Sequence, residues 1–150
     1  MPPTRSSIGP LTSAFLALLI VVGAMQPWQR YVIGPVNLVS DFGYDTSEGQ
    51  LALAAGIWGI VLGYVCAFVR LPEAVYFVGA FACAAVSIGA ALSYWSMDNQ
   101  REGFQFFGQQ VKLSQTGMGV YVTLAAAVVY LISIIWQIGV RLSQKDRVLE

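Results

Sequence analysis

Residues 74–95 read AVYFVGAFACAAVSIGAALSYW. The run holds no charged residue and no proline, and apolar and polar positions do not alternate. A helix of about 20 residues at about 1.5 Å per residue covers about 30 Å, the thickness of bilayer hydrocarbon. Backbone groups in lipid must be satisfied within their own segment, so an uncharged run this long reads as a membrane-spanning helix. A transmembrane barrel strand would alternate at every second residue.

Three more uncharged stretches lie on either side: Leu11–Met25, Gln50–Val69 and Gly117–Ile138. The first is short, and crosses only if it takes in Ile8 to Pro10 at one end and Pro27-Trp28 at the other. The spacing predicts spans at about 8–28, 48–70, 72–96 and 116–140, in one transmembrane domain over residues 1–150. The fold class expected is all-α, a four-transmembrane-helix bundle. Val22-Gly23-Ala24 also fits a signal-peptidase site, with small residues at the −3 and −1 positions. Only Arg5 precedes the apolar run, which favours a retained span. The whole chain agrees: 57% of its 150 residues are hydrophobic and 11% charged, against about 25% charged in a soluble domain. Mean hydropathy is +0.65. Zero net charge and the absence of histidine speak against a nucleic-acid binder and against any histidine base or ligand.

An even number of spans puts both termini on one side. That side carries Arg5, Arg70, Arg141, Lys145 and Arg147, and the other carries Arg30, Arg101 and Lys112. The bias predicts cytoplasmic termini, as in a plasma (inner) membrane protein. Trp28, Tyr31, Tyr94, Trp95 and Tyr121 are then expected at the outer interface, and Tyr64, Tyr76 and Trp136 at the inner one. Asp45-Thr46-Ser47-Glu48 has capping-box spacing for the second span. Pro72 suits the first position of the third, and Thr116 suits the cap of the fourth.

Small residues recur every fourth position on two spans. Ala55, Gly59, Gly63 and Ala67 form one stripe; Gly79, Cys83, Ser87 and Ala91 form another, with Ala85, Gly89 and Ser93 beside it. Such stripes let helix backbones approach closely in lipid. Gly59, Gly63, Gly79, Ser87 and Gly89 are therefore candidates for a helix-packing or partner interface. Packing of spans two and three as a hairpin is the plainer reading, and docking of another protein or another copy the sharper one.

The two outer loops are longer and are candidates for a small β cap. The first holds Trp28-Gln29-Arg30-Tyr31-Val32-Ile33 before Gly34-Pro35. In the second, Phe104/Gln105/Phe106 and Val111/Lys112/Leu113 alternate as half-buried strands do. Trp28, Tyr31, Phe104, Phe106 and Phe107 are candidate partner contacts of these loops.

A short span ending at Pro27-Trp28, the loop Asp41-Phe42-Gly43-Tyr44-Asp45 to Gly49, a tight hairpin of spans two and three, and Thr116-Gly117-Met118-Gly119-Val120-Tyr121 resemble small uncharacterised four-span bacterial membrane proteins. In outline the chain is also similar to the claudin-like tetraspan arrangement. Neither outer loop has a cysteine, so the loop disulfide which that arrangement implies is missing.

No pattern of catalytic residues emerges. Cys66 and Cys83 sit at different depths of their spans and read as small packing residues. Asp41, Asp45, Glu48, Asp98 and Glu102 read as solvated loop charge rather than a cation site, since no EF-hand spacing is present. The spans have no charged group, and their polar members Ser87, Ser93, Thr123 and Ser133 can bond to helix backbones. This speaks against a proton-coupled transporter or an ion pore made by one copy. Catalytic, cofactor and metal residues are therefore all expected to be none. The expected role is that of a non-catalytic accessory or stabilising subunit of a larger membrane complex, with other integral membrane subunits and lipids as partners. The alternative is a self-assembling channel or carrier for a small or lipidic molecule, with a homo-oligomer as one form it can take.

Overall fold

A computed structural model describes residues 8–33, 36–69, 71–100, 104–106, 109–111 and 114–149. Four helices carry the chain: α1 (Ile8–Met25), α2 (Ser47–Phe68), α3 (Glu73–Gln100) and α4 (Met118–Leu149). Each is long and apolar enough to cross a membrane. Consecutive helices run antiparallel. α1 packs on α2 and α4, and α3 packs on the same two, which closes the bundle. Their outward faces expose Phe15, Val61, Val78 and Ile132. A helix that stays apolar on its outer face suits lipid rather than water. The fold is thus a tetraspan outline.

The loops between α1 and α2 and between α3 and α4 meet at one end of the bundle, here the cap end. The first supplies β1 (Pro27–Ile33) and β2 (Val36–Phe42), and the second supplies β3 (Phe104–Phe106), β4 (Gln109–Val111) and β5 (Ser114–Thr116). One antiparallel sheet has the order β2-β1-β5, with Arg30 opposite Val39 and Gln115. Both loops therefore contribute to one small sheet. β3 and β4 form a separate hairpin, with Phe104 opposite Val111 and Phe106 opposite Gln109. The expected strand Val111–Leu113 thus starts earlier, at Gln109, and residues 112–113 lie outside the described residues.

The helix ends differ from expectation for physical reasons. α1 stops at Met25 instead of reaching 28. Pro27 has no N–H and disfavours helical geometry in the residue before it, and the Gln26 N–H turns back to the Gly23 carbonyl at 3.1 Å. At α2 the cap is Thr46, whose hydroxyl accepts the Gly49 N–H at 3.0 Å. Asp45 instead closes a 3-10 turn over Gly43–Asp45 by accepting the Phe42 N–H at 3.4 Å. Glu48 accepts the Ser47 hydroxyl at 2.8 Å. Pro72 lies just before α3, and its carbonyl accepts from Val75 and Tyr76. Thr116 belongs to β5 rather than capping α4.

Candidate functional site

Gly59 and Gly63 lie on the buried face of α2. A Cβ on Gly59 would meet Cys83 Sγ of α3 at 2.8 Å and Ala17 Cβ of α1 at 2.9 Å. One on Gly63 would meet the Pro10 carbonyl oxygen at 2.6 Å and Ala14 of α1 at 3.0 Å. The α2 stripe is thus pressed against α1 as well as α3. Gly79 takes the Leu62 side chain of α2, which a Cβ would meet at 2.7 Å. Ser87 is fully buried. Gly89 faces outward, and no atom of the described residues lies within 4 Å of a Cβ built there. The structure therefore gathers Gly59, Gly63, Gly79 and Ser87 inside the bundle and leaves Gly89 apart.

Trp28 is also inside: it is fully buried. The β1–β2 register shifts on both sides of Gln29, so β1 bulges where Trp28 leaves the sheet. Bulges re-aim side chains in this way. The indole N–H donates to the Gly23 carbonyl at 3.1 Å, and the ring meets Tyr94 edge-on at a centroid distance of 5.2 Å. A Cβ on Gly43 would stand 2.6 Å from its Nε1, and one on Gly119 would stand 2.5 Å from its Cδ1. The Trp28 carbonyl accepts the Gly117 N–H at 2.6 Å. This residue thus binds the ends of all four helices together, with Ala24, Ala52, Ala90, Ala91 and Val120 packed around it. Tyr31, by contrast, is 38% exposed. Phe104 and Phe106 fall on β3, and Phe107 lies outside the described residues.

Two other expected interface aromatics turn inward. Tyr76 is 1% exposed and Tyr94 5%, while Tyr64, Trp95, Tyr121 and Trp136 remain exposed. The Tyr76 hydroxyl lies 2.8 Å from Ser13 Oγ and 3.0 Å from Gln137 Oε1. Gln137 Nε2 donates toward Ser13 Oγ at 3.0 Å, with the Gly9 carbonyl and Ser133 Oγ each at 3.3 Å. Tyr76 has one proton and the Gln137 carbonyl has none. Tyr76 therefore donates to Gln137, and Ser13 directs its own proton to Tyr76 or to Gly9. The cluster ties α1, α3 and α4 at the end that holds the chain termini. Next to it Arg141 pairs with Glu73 and lies over the Phe77 ring, 5.1 Å from its centroid.

Asp98 is not loop charge in solvent. It is 2% exposed and its Oδ2 accepts the Thr116 hydroxyl at 2.6 Å. Together with Thr46, Ser47, Glu48, Tyr94 and Met97 it lines a cleft of about 280 Å3 at the cap end. Glu102 lies outside the described residues. Cys66 and Cys83 are buried and not joined in a disulfide, and the Cys83 thiol donates to the Ala55 carbonyl at 3.0 Å. Among the described residues no group of three or more Cys, Asp or Glu could hold a metal ion.

Among the described residues a second concave surface faces outward. It is a groove of about 670 Å3 on α4, lined by Ile132, Ile135, Trp136, Gly139 and Val140, with Ser143 and Gln144 at its end. Trp136 is 73% exposed, and no atom of the described residues lies within 4 Å of a Cβ built on Gly139. Sequence reading missed this face, although Gly139 and Ser143 have the same four-residue spacing as the stripes it did find.

The class these features define is a bundle of four helices, each able to cross a membrane, closed at one end by a loop sheet around a buried tryptophan. Comparison with known proteins goes no further: no family model, no curated protein and no solved structure is significantly similar to this chain.

Proposed function

We propose that this chain is a non-catalytic integral membrane protein that acts as an accessory or stabilising subunit of a larger membrane protein complex. The observation that carries the reading is the open groove on α4. No described residue covers its glycine, while Gly59, Gly63 and Gly79 are each filled by a neighbouring helix. A small residue on an apolar outward face lets the backbone of another helix come close, which is how helices associate in lipid. The partner is then an integral membrane subunit that lays one helix across α4 at Gly139. The membrane is the plasma (inner) membrane with both termini cytoplasmic. The lysine and arginine distribution supports that orientation.

The test is extraction into polymer nanodiscs without overexpression, followed by native mass and partner identification. The wild-type chain is expected in fixed ratio with larger membrane subunits. Gly139→Leu should lose them while keeping its helical signal and thermal midpoint. Recovery as a lone monomer overturns the reading. Recovery as a pure homo-oligomer overturns it as well, and points to a shared channel or carrier.

A further inference from the structure

At the end that holds the chain termini, the Arg141–Glu73 ion pair joins α4 to the first residue of α3. Charged groups are costly in hydrocarbon, so the pair marks where the polar layer begins. The other helices stop or start near this level. α2 ends at Phe68 and α3 starts at Glu73, and a Cβ on Gly9, near the start of α1, would meet the Gln137 side chain at 2.8 Å. Among the described helices only α4 continues past this end, to Leu149. From Arg141 that is about 12 Å at about 1.5 Å per residue. Leu142 is 59% exposed, and Ser143 and Gln144 are exposed as well.

The α4 groove crosses the same level. Its wall runs from Ile132 to Gln144, about 13 Å on the hydrocarbon side of Arg141 and about 5 Å beyond it. The lining changes character there. Ile132, Ile135, Trp136, Gly139 and Val140 come before Arg141, and Ser143 and Gln144 after it. An acyl chain fits the first part only, because it ends with the hydrocarbon. The projecting turns of α4 need a packed face, since helices draw most of their stability from packing rather than from propensity. A second helix that follows α4 through both parts supplies that face, and an acyl chain does not.

We propose that the groove takes a helix of the partner subunit that stays helical for at least one turn beyond the hydrocarbon. Trp136 and Gly139 make the contact in lipid. Tryptophan is among the residues that most often carry binding energy at interfaces, and the glycine lets the two backbones approach. Ser143, four residues further along the same face, and Gln144 hydrogen-bond to polar side chains of the partner outside the hydrocarbon. The inference rests on the accessory-subunit reading, and adds where the contact ends and what chemistry the partner carries there.

The experiment is photo-crosslinking of the full chain in its native membrane. A photoreactive benzoylphenylalanine replaces Ile132 or Gln144, which are both exposed, and Val78 of α3, 70% exposed and outside the groove, serves as control. Adducts with one and the same subunit are expected from positions 132 and 144, and not from 78. A subunit adduct at 132 without one at 144 overturns the inference and leaves the accessory reading intact. Lipid adducts alone at both positions overturn it too. Failure of the accessory reading shows separately, as the absence of any subunit in fixed ratio with the wild-type chain. The double variant Ser143→Ala, Gln144→Ala should recover several-fold less of the partner with its helical signal unchanged. Undiminished recovery overturns the hydrogen-bonded contact outside the hydrocarbon.

Discussion

At the cap end the Trp28 ring is wedged among Gly43, Gly119 and Tyr94, with one indole hydrogen bond to the Gly23 carbonyl. At the opposite end Tyr76, Ser13 and Gln137 hold α1, α3 and α4 by side-chain hydrogen bonds, with an ion pair beside them. The cap end relies on shape, because glycines let backbone come up against a large ring that no smaller side chain would fill. The terminal end relies on polar groups that satisfy one another inside an apolar bundle. Shape-based closure leaves a cavity when it is cut. Polar closure can be trimmed to an isostere at small cost, provided no partner is left unpaired. The two ends should therefore respond to mutation by very different amounts.

Trp28→Ala should have the largest effect. Truncation of a buried tryptophan costs about 3–5 kcal/mol, and here it also loosens the contact that joins four helix ends. Reversible unfolding in mixed detergent micelles is expected to show that loss together with release of the β1–β5 pairing. A loss below about 1 kcal/mol, within the range of a single ordinary hydrogen bond, would mean that the cap is not held by this ring. Gly59→Leu should come next. Its first added atom alone meets Cys83 and Ala17 below 3 Å, and overpacking of this kind costs about 1–3 kcal/mol or more. Gly89→Leu, with open space before it, should leave the unfolding midpoint unchanged. Equal effects at the two glycines would break the distinction between filled and open faces.

The four helices were legible because lipid demands long uncharged runs, and Ala74–Trp95 is one by inspection. Their ends were less so. Asp45 and Thr46 are both good caps, and only the Gly43 N–H, donated to the Gln26 carbonyl, decides that Asp45 is used by the 3-10 turn. That both loops share one sheet was foreseeable in outline. β5 was not, because Ser114-Gln115-Thr116 has no apolar alternation and pairs with a strand far away in sequence. The inward turn of Trp28 depends on a bulge, which a composition of aromatic and β-branched residues does not reveal. The terminal cluster was invisible for the same reason: Gln137 and Gly9 are 128 positions apart. Gln137 stood in plain view as an amide inside an apolar run, and that was the signal available.

Tyr76→Phe sharpens the comparison at the polar end. It removes one proton from the cluster and leaves the Gln137 carbonyl short of a donor, while the ring still fills its site. Side-chain hydrogen bonds between membrane helices average about 0.6 kcal/mol and reach about 1.7, so a loss in that range is expected. Gln137→Leu should cost at least as much, because Ser13 and Tyr76 then lose a shared partner. The double variant should be less than additive, since both changes cut the same network. Strict additivity would show that the two residues act separately.

The smallest effect is expected from Glu73→Gln at the Arg141 pair. The two side chains are 56% and 25% exposed, and exposed ion pairs contribute about 0–1 kcal/mol with screening by salt. Arg141 also keeps its place over the Phe77 ring, a contact that does not need Glu73 and is worth about 0.5–1 kcal/mol at exposed sites. Glu73→Gln should therefore shift the unfolding midpoint only slightly, and less at high salt than at low salt. Arg141→Gln removes both contacts and should cost more, with a remainder that salt does not abolish. If both variants lose the same amount and salt erases it, the ring contributes nothing. The terminal end would then be held by the Tyr76 cluster alone.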